Sequence, residues 1–299
     1  MTIDDEYKKF VAQLKTIYDE RESGNIADWV FESVANIKRL DRIIDKQKQF
    51  SDSIIQHLNT ALQQLLAHKP VQYVLGEVWF YKMKLLVNEQ VLIPRPETEE
   101  LVEWVIEDVR RTMYDVRSKK NINIQHRTFN IVRLLDVGTG SGCIAIALKK
   151  ELPDSEIFAI DVSEDALKVA KQNAQDQNTA INFLQLDFLN EEDWSSLPSF
   201  DVLISNPPYI PENEKSKLAK NVVNHEPHLA LFVADNDPFI FYKKIASFAG
   251  KHLNEDGKSF VEVHEDHAKE VQQIFTEKNF TTEIKKDICG RERMVKAYR

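Results

Sequence analysis

Residues 134–149 read LLDVGTGSGCIAIALK, in which an apolar run meets a loop with glycine at alternate positions before a second apolar run follows. The loop glycines are Gly138, Gly140 and Gly142. Because glycine adopts backbone conformations closed to other residues, such a loop turns sharply and lets a ligand come close to the backbone. In doubly wound α/β folds, the loop between the first strand and the next helix binds nucleotides. The stretch therefore predicts a nucleotide-like ligand at the edge of a parallel sheet.

Further short apolar runs predict the rest of that sheet. Runs of strand type lie at 131–137, 156–162, 181–187 and 200–206, and helical patterns separate the first three. Strands that alternate with helices predict a parallel sheet covered by helices on both faces. Three more strand-like segments occur downstream, at 258–264, 281–288 and 293–299. The expected fold is a Rossmann-like α/β domain with about seven strands.

The first part of the chain has a different pattern. Residues 1–72 contain almost no glycine or proline and repeat apolar residues at helical spacing, which predicts a small helical-bundle domain. Ser51 is expected to cap one of these helices, with Asp52 in its first turn.

The two domains are expected to be joined by a β-hairpin linker at residues 73–96. Residues 76–93 are β-branched and aromatic and are split by Asn88-Glu89, where the hairpin turn is expected. A catalytic domain would then occupy residues 97–299. Within it, the polar stretch 114–128 predicts a surface loop.

Composition narrows the function class. The net charge is −9, which opposes a nucleic acid as the main ligand, since neutralising phosphates needs clustered Lys and Arg. No apolar run approaches the roughly 20 residues of a membrane helix, and the charged N-terminus lacks a signal-peptide core. With Cys143 and Cys289 alone, a disulfide framework is not expected. These features predict a cytoplasmic protein without a membrane partner, and a monomer is the default expectation.

The glycine spacing separates two cofactor classes. The dinucleotide pattern G-x-G-x-x-G would need a glycine at position 143, where the chain has Cys143. The observed G-x-G-x-G resembles the first motif of the class I S-adenosylmethionine-dependent methyltransferases. That resemblance implies S-adenosyl-L-methionine as cofactor and S-adenosyl-L-homocysteine as product. Cys143 itself is expected to be a packed small residue rather than a nucleophile, because no histidine lies nearby in sequence.

Acidic residues follow the next two strands. Asp161 ends the second strand, where a carboxylate can accept both ribose hydroxyls of a nucleoside. Asp187 and Phe188 end the third, where the methyltransferases have an acid for the adenine amine and an apolar residue against the ring. Taken alone, Asp161 fits a helix first turn and Phe188 fits a core. Together they predict one adenosine-bearing ligand along the carboxyl edge of the sheet.

The fourth strand ends in Asn206-Pro207-Pro208-Tyr209, which resembles the (D/N/S)PP(Y/F) motif of methyltransferases that modify planar nitrogens. Such a nitrogen is a poor nucleophile because its lone pair is delocalised. The Asn206 side-chain oxygen and the Pro207 carbonyl can each accept one of its N–H groups, on a backbone stiffened by two prolines. Tyr209 can stack on the flat group. The simpler alternative is a rigid Pro-Pro-Tyr turn with Asn206 as its cap.

The motif leaves two substrate classes open: the exocyclic amine of a nucleobase and the side-chain amide of glutamine. The chain as a whole resembles the HemK/PrmC family of protein-(glutamine-N5) methyltransferases over about residues 70–299. The matching segments are PVQYVLGEVWFY (70–81), LIPRPETEELVEWV (92–105), LLDVGTGSGCIAIALK (134–149), DVSEDALKVAKQNA (161–174), FDVLISNPPYIP (200–211) and HEPHLAL (225–231).

This resemblance implies methylation of the glutamine in the Gly-Gly-Gln loop of class I peptide-chain release factors, and it implies that the N-terminal domain helps to grip that protein. The implied cofactor-binding residues are Gly138, Thr139, Gly140, Ser141, Gly142, Asp161, Asp187, Phe188 and Asn206. The implied substrate-binding residues are Arg95, Glu97, Asn206, Pro207, Pro208 and Tyr209, with Asn206, Pro207 and Tyr209 catalytic. For Arg95 and Glu97 a surface salt bridge and a first-turn acid are the alternatives.

Some segments depart from the family pattern. Residues 232–238 replace a glycine-rich turn, His264 replaces a glycine, and the loop at 111–130 is longer than usual. Together with His225, His228 and His267, His264 matches no standard metal-site spacing, so no metal is expected.

Two other functions compete with this one. A DNA or RNA amino-nitrogen (adenine N6-type) methyltransferase would need a basic groove and a flipped base. A non-catalytic module that binds the adenosyl ligand would not need the NPPY tetrapeptide.

Overall fold

The computed structural model describes residues 2–118 and 131–299. The chain divides into two compact units. One comprises residues 1–77 with 218–225, and the other comprises residues 78–217 with 226–299.

The first unit is helical, as its sequence pattern predicts. Its helices are α1 (Ile3–Leu14), α2 (Glu20–Ala35), α3 (Arg39–Ile44), α4 (Asp52–Leu66), α5 (Val71–Leu75) and α9 (Lys220–His225). Apolar residues at helical spacing meet in one core around Phe10, Phe31, Leu58 and Leu65. Ser51 caps α4 by accepting a hydrogen bond from the Ile54 N–H, as predicted.

The hairpin that follows consists of β1 (Glu77–Phe80) and β2 (Met83–Leu86). The predicted turn at Asn88-Glu89 was wrong: the chain reverses at Tyr81 and Lys82, whose φ angles are +45° and +63°. Sequence reasoning missed this turn because it contains none of the Gly, Asn or Asp residues that favour positive φ. Phe80, Met83 and Leu85 anchor the hairpin in the core of the second unit.

The second unit is built on a seven-stranded sheet with the order β10-β11-β9-β6-β3-β4-β5. Its strands are β3 (Arg133–Val137), β4 (Glu156–Asp161), β5 (Asn182–Gln185), β6 (Phe200–Ser205), β9 (Leu253–Glu262), β10 (Thr281–Lys286) and β11 (Glu292–Tyr298). The pairs among β5, β4, β3, β6 and β9 are parallel, whereas β11 pairs antiparallel with both β9 and β10. This confirms the predicted α/β fold and its strand number.

Helices cover both faces of the sheet because its strands are apolar on both sides. On one face, α6 (Pro96–Ser118), α7 (Cys143–Glu151) and α8 (Glu164–Asp176) pack with the hairpin. On the other face, α11 (Ile240–His252) and α12 (Ala268–Thr276) share a second core with Trp194 of a 3-10 turn at Glu191–Ser196. Neighbouring residues of β3 therefore lie in different cores. Leu134 belongs to the core under α6, α7 and α8, and Leu135 belongs to the core under α11 and α12.

The surface loop expected at 114–128 was wrong at its start, because α6 continues to Ser118. Residues 110–118 contain no glycine or proline, so nothing in the chain interrupts the helix there. The rest of that predicted loop lies outside the described residues.

Short elements follow the NPPY tetrapeptide. β7 (Ile210–Pro211) pairs in parallel with β8 (Phe232–Val233), and α10 (His228–Leu231) directly precedes β8. Asp235 accepts a hydrogen bond from the Asn213 N–H at 2.9 Å. The atypical segment 232–238 therefore contacts the chain that leaves the tetrapeptide.

Candidate active site

The glycine loop lies directly after β3, at the carboxyl end of the sheet. Gly138, Gly140 and Gly142 have φ angles of +74°, +53° and +81°, a region that favours glycine. A Cβ added at Gly138 or Gly140 would meet no atom within 4 Å, whereas one at Gly142 would lie 3.1 Å from the Ala170 Cβ. The first two glycines thus border open space for a ligand, and the third permits close packing of α7 on α8.

Asp161, at the end of β4, is tied to this loop. Its carboxylate accepts hydrogen bonds from the Gly140 N–H at 2.8 Å and from the Ser163 N–H at 2.9 Å. Burial raises the pKa of Asp161, and these backbone donors oppose the rise. The structure therefore brings the glycine loop and the predicted ribose acceptor into direct contact.

The side chains of Thr139 and Ser141 face the interior, since both residues are buried. The Thr139 hydroxyl donates to the carboxylate of fully buried Asp136 at 2.6 Å. Burial raises the pKa of Asp136 to about 7. Backbone atoms are therefore what these two loop residues can offer a ligand.

Asn173 of α8 holds the loop from behind. Its carboxamide accepts from the Leu86 N–H at 2.6 Å and donates to the Leu86 and Ser141 carbonyls, each at 2.9 Å. Asn173 is 1% exposed, so its carboxamide is sheltered from water. One buried amide thus connects the β-hairpin, α8 and the glycine loop.

Asp187 and Phe188 follow β5 and have different surroundings. Asp187 is exposed, and its carboxylate accepts from the Leu189 N–H at 3.0 Å. The Phe188 ring is buried, with ring centroids 5.5 Å from Trp194 and 5.4 Å from Phe248. The Phe188 side chain is therefore part of the core, and Asp187 is the solvent-facing member of the pair.

Asn206 follows β6, the strand next to β3. Ser205 fixes the strand end, since its hydroxyl donates to the Val137 carbonyl at 2.8 Å. The Asn206 Nδ2 donates to Thr98 Oγ1 at 3.1 Å, and the Thr98 hydroxyl donates to Glu262 Oε2 at 2.6 Å. The amide is thus held through its nitrogen, by residues from α6 and β9.

Glu262 is the most deeply buried carboxylate beside the tetrapeptide, at 2% exposure. Burial raises its pKa to about 7, and the neighbouring charge of Glu97 adds to the rise. The hydrogen bond from Thr98 and the guanidinium groups of Arg293 and Arg95 oppose it.

Tyr209 packs partly into the core under α11 and α12. Burial raises the pKa of its hydroxyl to about 12. The phenol is therefore neutral at physiological pH. Its ring lies 6.0 Å, between centroids, from the ring of His264. The rings of His264 and His267 are half-buried, and the ring centroid of His267 lies 5.3 Å from that of Phe239.

Arg95 and Glu97 lie at the start of α6. The Arg95 guanidinium pairs with Glu226 at 2.6 Å, and Glu226 is buried and also accepts from the Ile93 N–H at 3.3 Å. Glu97 is half-buried in the first helical turn. Arg95 lowers and Glu97 raises the pKa values of Glu262 and Tyr209 through their charges.

Cys143 is buried at the start of α7, where burial raises its thiol pKa to about 12. A neutral buried thiol fits the packing role predicted for it. Within residues 2–118 and 131–299, no group of three or more His, Cys, Asp or Glu residues could hold a metal ion. In the same part of the chain, no helix has both the length and the apolarity to cross a membrane.

Four residues of this region were absent from the predicted site: Thr98, Asn173, Glu226 and Glu262. Thr98, Asn173 and Glu226 lie inside segments already quoted, LIPRPETEELVEWV, DVSEDALKVAKQNA and HEPHLAL, whereas Glu262 lies in the strand-like segment 258–264. No sequence signal distinguished these four from the other polar residues around them. Their partners lie 32 to 164 residues away, which no local pattern indicates.

Comparisons with known proteins identify the family of the chain. The model of the PrmC N-terminal domain matches residues 7–76, and that of the Methyltransferase small domain matches residues 122–230. A release factor glutamine methyltransferase of Flavobacterium psychrophilum is 41% identical over 289 residues, covering 96% of each chain. The chain belongs to the release factor glutamine methyltransferase family.

Other members of the family align over nearly the same length. The release factor glutamine methyltransferase of Streptococcus pneumoniae is 36% identical over 95% of this chain and 97% of its own. That of Bacteroides thetaiotaomicron is 33% identical over 96% of both. The family therefore spans both the helical unit and the sheet unit.

Proposed function

We propose that this protein transfers a methyl group from S-adenosylmethionine to the side-chain amide nitrogen (N5) of the glutamine in the Gly-Gly-Gln loop of class I peptide-chain release factors. The observation that carries the proposal is the juxtaposition at one sheet edge. Asp161 is bonded to the glycine loop, and Asn206 follows the adjacent strand with its nitrogen engaged by Thr98. Family membership supports the same activity.

The residues at the strand ends fit S-adenosylmethionine. Gly138 and Gly140 face open space, so no side chain obstructs a ligand above them. Asp161 is presented by backbone N–H donors and can accept the ribose hydroxyls, while Asp187 is exposed and available to the adenine amine. The buried Phe188 ring would lie beneath the bound cofactor as part of the core. When bound, the cofactor supplies an electrophilic methyl group and leaves as S-adenosylhomocysteine.

The tetrapeptide supplies the orientation that a glutamine amide needs. The amide nitrogen has two N–H groups, and the Asn206 Oδ1 and the Pro207 carbonyl oxygen can accept one each. Bonded in this way, the nitrogen is fixed and its lone pair is aimed at the methyl carbon. Pro208 stiffens the backbone, and Tyr209 offers a flat neutral surface for the amide plane. Good orientation is worth roughly 7–11 kcal/mol. An N–H proton becomes acidic once the nitrogen is methylated and leaves to solvent, so no strong base is required.

The helical unit is proposed to grip the release factor. Its surface presents large apolar side chains, each more than half exposed: Trp29, Leu40, Ile43 and Ile44. Exposed apolar groups of this kind are typical of protein-binding surfaces. Arg95 and Glu97 are proposed to border the substrate glutamine, with Arg95 fixed by Glu226.

We further propose that the protein acts as a monomer in the cytoplasm, without a nucleic acid or a metal ion. The net charge of −9 and the two free cysteines support this assignment.

The test is transfer of labelled methyl from S-adenosylmethionine to a purified class I release factor. The matched substrate is the same factor with the glutamine of its Gly-Gly-Gln loop changed to alanine, and bare DNA is a third substrate. Label on the intact factor alone is expected. Label on the alanine factor would place the reaction at another residue, and label on DNA would replace the proposed substrate class.

A further inference from the structure

Asn206 is held by two buried residues to which the proposed reaction gives no role. Thr98 lies in the first turn of α6 and Glu262 ends β9, and each is 2% exposed. Hydrogen bonds of 3.1 Å and 2.6 Å join Asn206 Nδ2 to Thr98 and Thr98 to Glu262. A buried carboxylate is thereby connected to the amide that faces the substrate.

The donors and acceptors of Asn206, Thr98 and Glu262 fix the direction of each hydrogen bond between them. A threonine hydroxyl has one proton, and an ionised carboxylate can only accept. The Thr98 proton therefore goes to Glu262, which leaves the Thr98 oxygen as an acceptor. Only the NH₂ end of Asn206 can donate to it. The carboxamide oxygen of Asn206 must then point away from Thr98.

Protonation of Glu262 would remove this constraint. The carboxyl proton could then be donated to Thr98, and the Thr98 hydroxyl would be free to donate to the oxygen of Asn206. An Asn206 amide turned over in this way would present its own NH₂ to the NH₂ of the glutamine. Two donors would face each other, and the substrate nitrogen would lose an acceptor.

We propose that Thr98 and Glu262 are positioning residues, which turn the carboxamide oxygen of Asn206 towards the substrate amide while Glu262 is ionised. This inference rests on the proposed glutamine methylation and identifies the residues that prepare its tetrapeptide. It predicts that transfer slows as Glu262 gains a proton.

The surroundings of Glu262 determine the pH at which transfer slows. The titratable groups near it are Arg95 and Glu97 at the start of α6, Cys143 of α7, Tyr209 after β6, Tyr242 of α11 and Arg293 of β11. The Tyr242 hydroxyl donates to the main-chain oxygen of Glu262 at 3.0 Å, so it does not replace Thr98 at the carboxylate. Burial outweighs the two arginines and raises the pKa of Glu262 to about 7. The acid limb of the rate should therefore lie near neutral pH.

The experiment compares wild type with Thr98→Val and Thr98→Ser, using a purified release factor as substrate. Valine has the shape of threonine without the hydroxyl, whereas serine retains it. We expect Thr98→Val to lower kcat about 10- to 100-fold, with KM for the release factor within about twofold. Thr98→Ser should stay within about threefold of wild type. Calorimetric affinity for S-adenosylhomocysteine, a readout separate from turnover, should be unchanged in both variants.

A second measurement follows kcat between pH 5.5 and 8.5 in wild type, Thr98→Ser and Glu262→Gln. The acid limb is expected in the first two and absent from Glu262→Gln, since glutamine does not titrate. If Thr98→Val fails to fold, this profile decides alone.

The outcomes separate the two proposals. A wild-type protein that leaves the release factor unlabelled overturns both. A wild-type protein that labels it, combined with an unchanged kcat in folded Thr98→Val or with an acid limb that persists in Glu262→Gln, overturns only the positioning role.

Discussion

The glycine loop and the NPPY tetrapeptide lie at adjacent strand ends, yet they are shaped in different ways. The loop derives its course from its own glycines, whose positive φ angles are a property of residues 138–142. The orientation of Asn206 comes instead from Thr98 and Glu262, at distant positions in the chain. A glycine loop can thus be encoded locally, whereas the Asn206 side chain is hydrogen-bonded, through Thr98, to residues that only the fold brings together.

The two regions also share an electrostatic feature. Both regions contain a fully buried carboxyl group whose pKa burial raises to about 7, Asp136 under the loop and Glu262 under the tetrapeptide. Each accepts a threonine hydroxyl at 2.6 Å, from Thr139 and Thr98 respectively. The bond at Asp136 spans three residues, whereas the one at Glu262 spans 164. The same kind of buried threonine–carboxylate hydrogen bond therefore stabilises a local turn in one region and a long-range contact in the other.

The largest expected effect separates the two regions by function. Asn206→Ala removes the acceptor that is proposed to position the substrate nitrogen and changes no residue of the glycine loop. We expect kcat for release factor methylation to fall about 100- to 1,000-fold. Calorimetric affinity for S-adenosylmethionine should change less than about threefold. The exposed Asn213→Ala is the control and should behave as wild type, and equal losses of turnover and affinity in Asn206→Ala would contradict the assigned role.

The next prediction tests whether the loop also depends on a distant residue. Asn173→Ala leaves the Leu86 N–H and the Leu86 and Ser141 carbonyls without their buried partner. The free energy of unfolding, measured with urea, should fall by about 2–4 kcal/mol. Affinity for S-adenosylmethionine should fall with it, because Ser141 belongs to the loop.

Gln177→Ala, at the C-cap of the same helix, provides the matched control. Gln177 donates to the Lys84 carbonyl at 2.9 Å in a solvent-exposed position, so its removal should cost less than about 1 kcal/mol. Equal losses for the two variants would show that the buried amide has no special role in holding the loop.

The pH dependence of stability tests the buried carboxyl at Glu262. Because its folded pKa of about 7 exceeds the ordinary 4.5, the folded state holds a proton that the unfolded chain releases between those values. The free energy of unfolding therefore decreases as pH rises from about 4.5 to 7. Glu262→Gln should remove up to about 3 kcal/mol of that decrease, at about 1.4 kcal/mol per pKa unit.

The measurement is urea unfolding at pH 5 and pH 8 for wild type and Glu262→Gln. The exposed Glu255→Gln serves as control and should follow wild type. An identical pH dependence in all three proteins would exclude Glu262 as the titrating group.

The smallest expected effect concerns a single loop glycine. Gly140→Ala places a methyl group at φ +53° in open space at the sheet edge, so the strain should cost about 1 kcal/mol of stability. The same methyl group should also lower S-adenosylmethionine affinity about tenfold, because it occupies the space proposed for the ligand. Gly76→Ala, at φ +71° and likewise in open space, should show the strain but keep the affinity. Calorimetry on both variants distinguishes strain from obstruction.

The sequence was sufficient for the fold because the fold is encoded in repeated local patterns. Apolar runs, helical spacing and the glycine loop gave the seven strands and the helical unit. The predicted element boundaries were wrong where the residue types gave no local signal of a turn or of a helix end. Tyr81 and Lys82 form a turn without typical turn residues, and α6 continues through a polar stretch to Ser118.

The sequence by itself determined the glycine loop, the acidic strand ends and the tetrapeptide, because each is a contiguous motif whose residue types carry the chemistry. Only the tertiary structure determined that Thr98, Glu262 and Asn173 stand behind those motifs. The physical reason is that a buried polar side chain must find a hydrogen-bond partner wherever packing provides one. That partner is chosen by the arrangement of the sheet and its helices, and its distance along the chain leaves no trace in any short stretch of sequence.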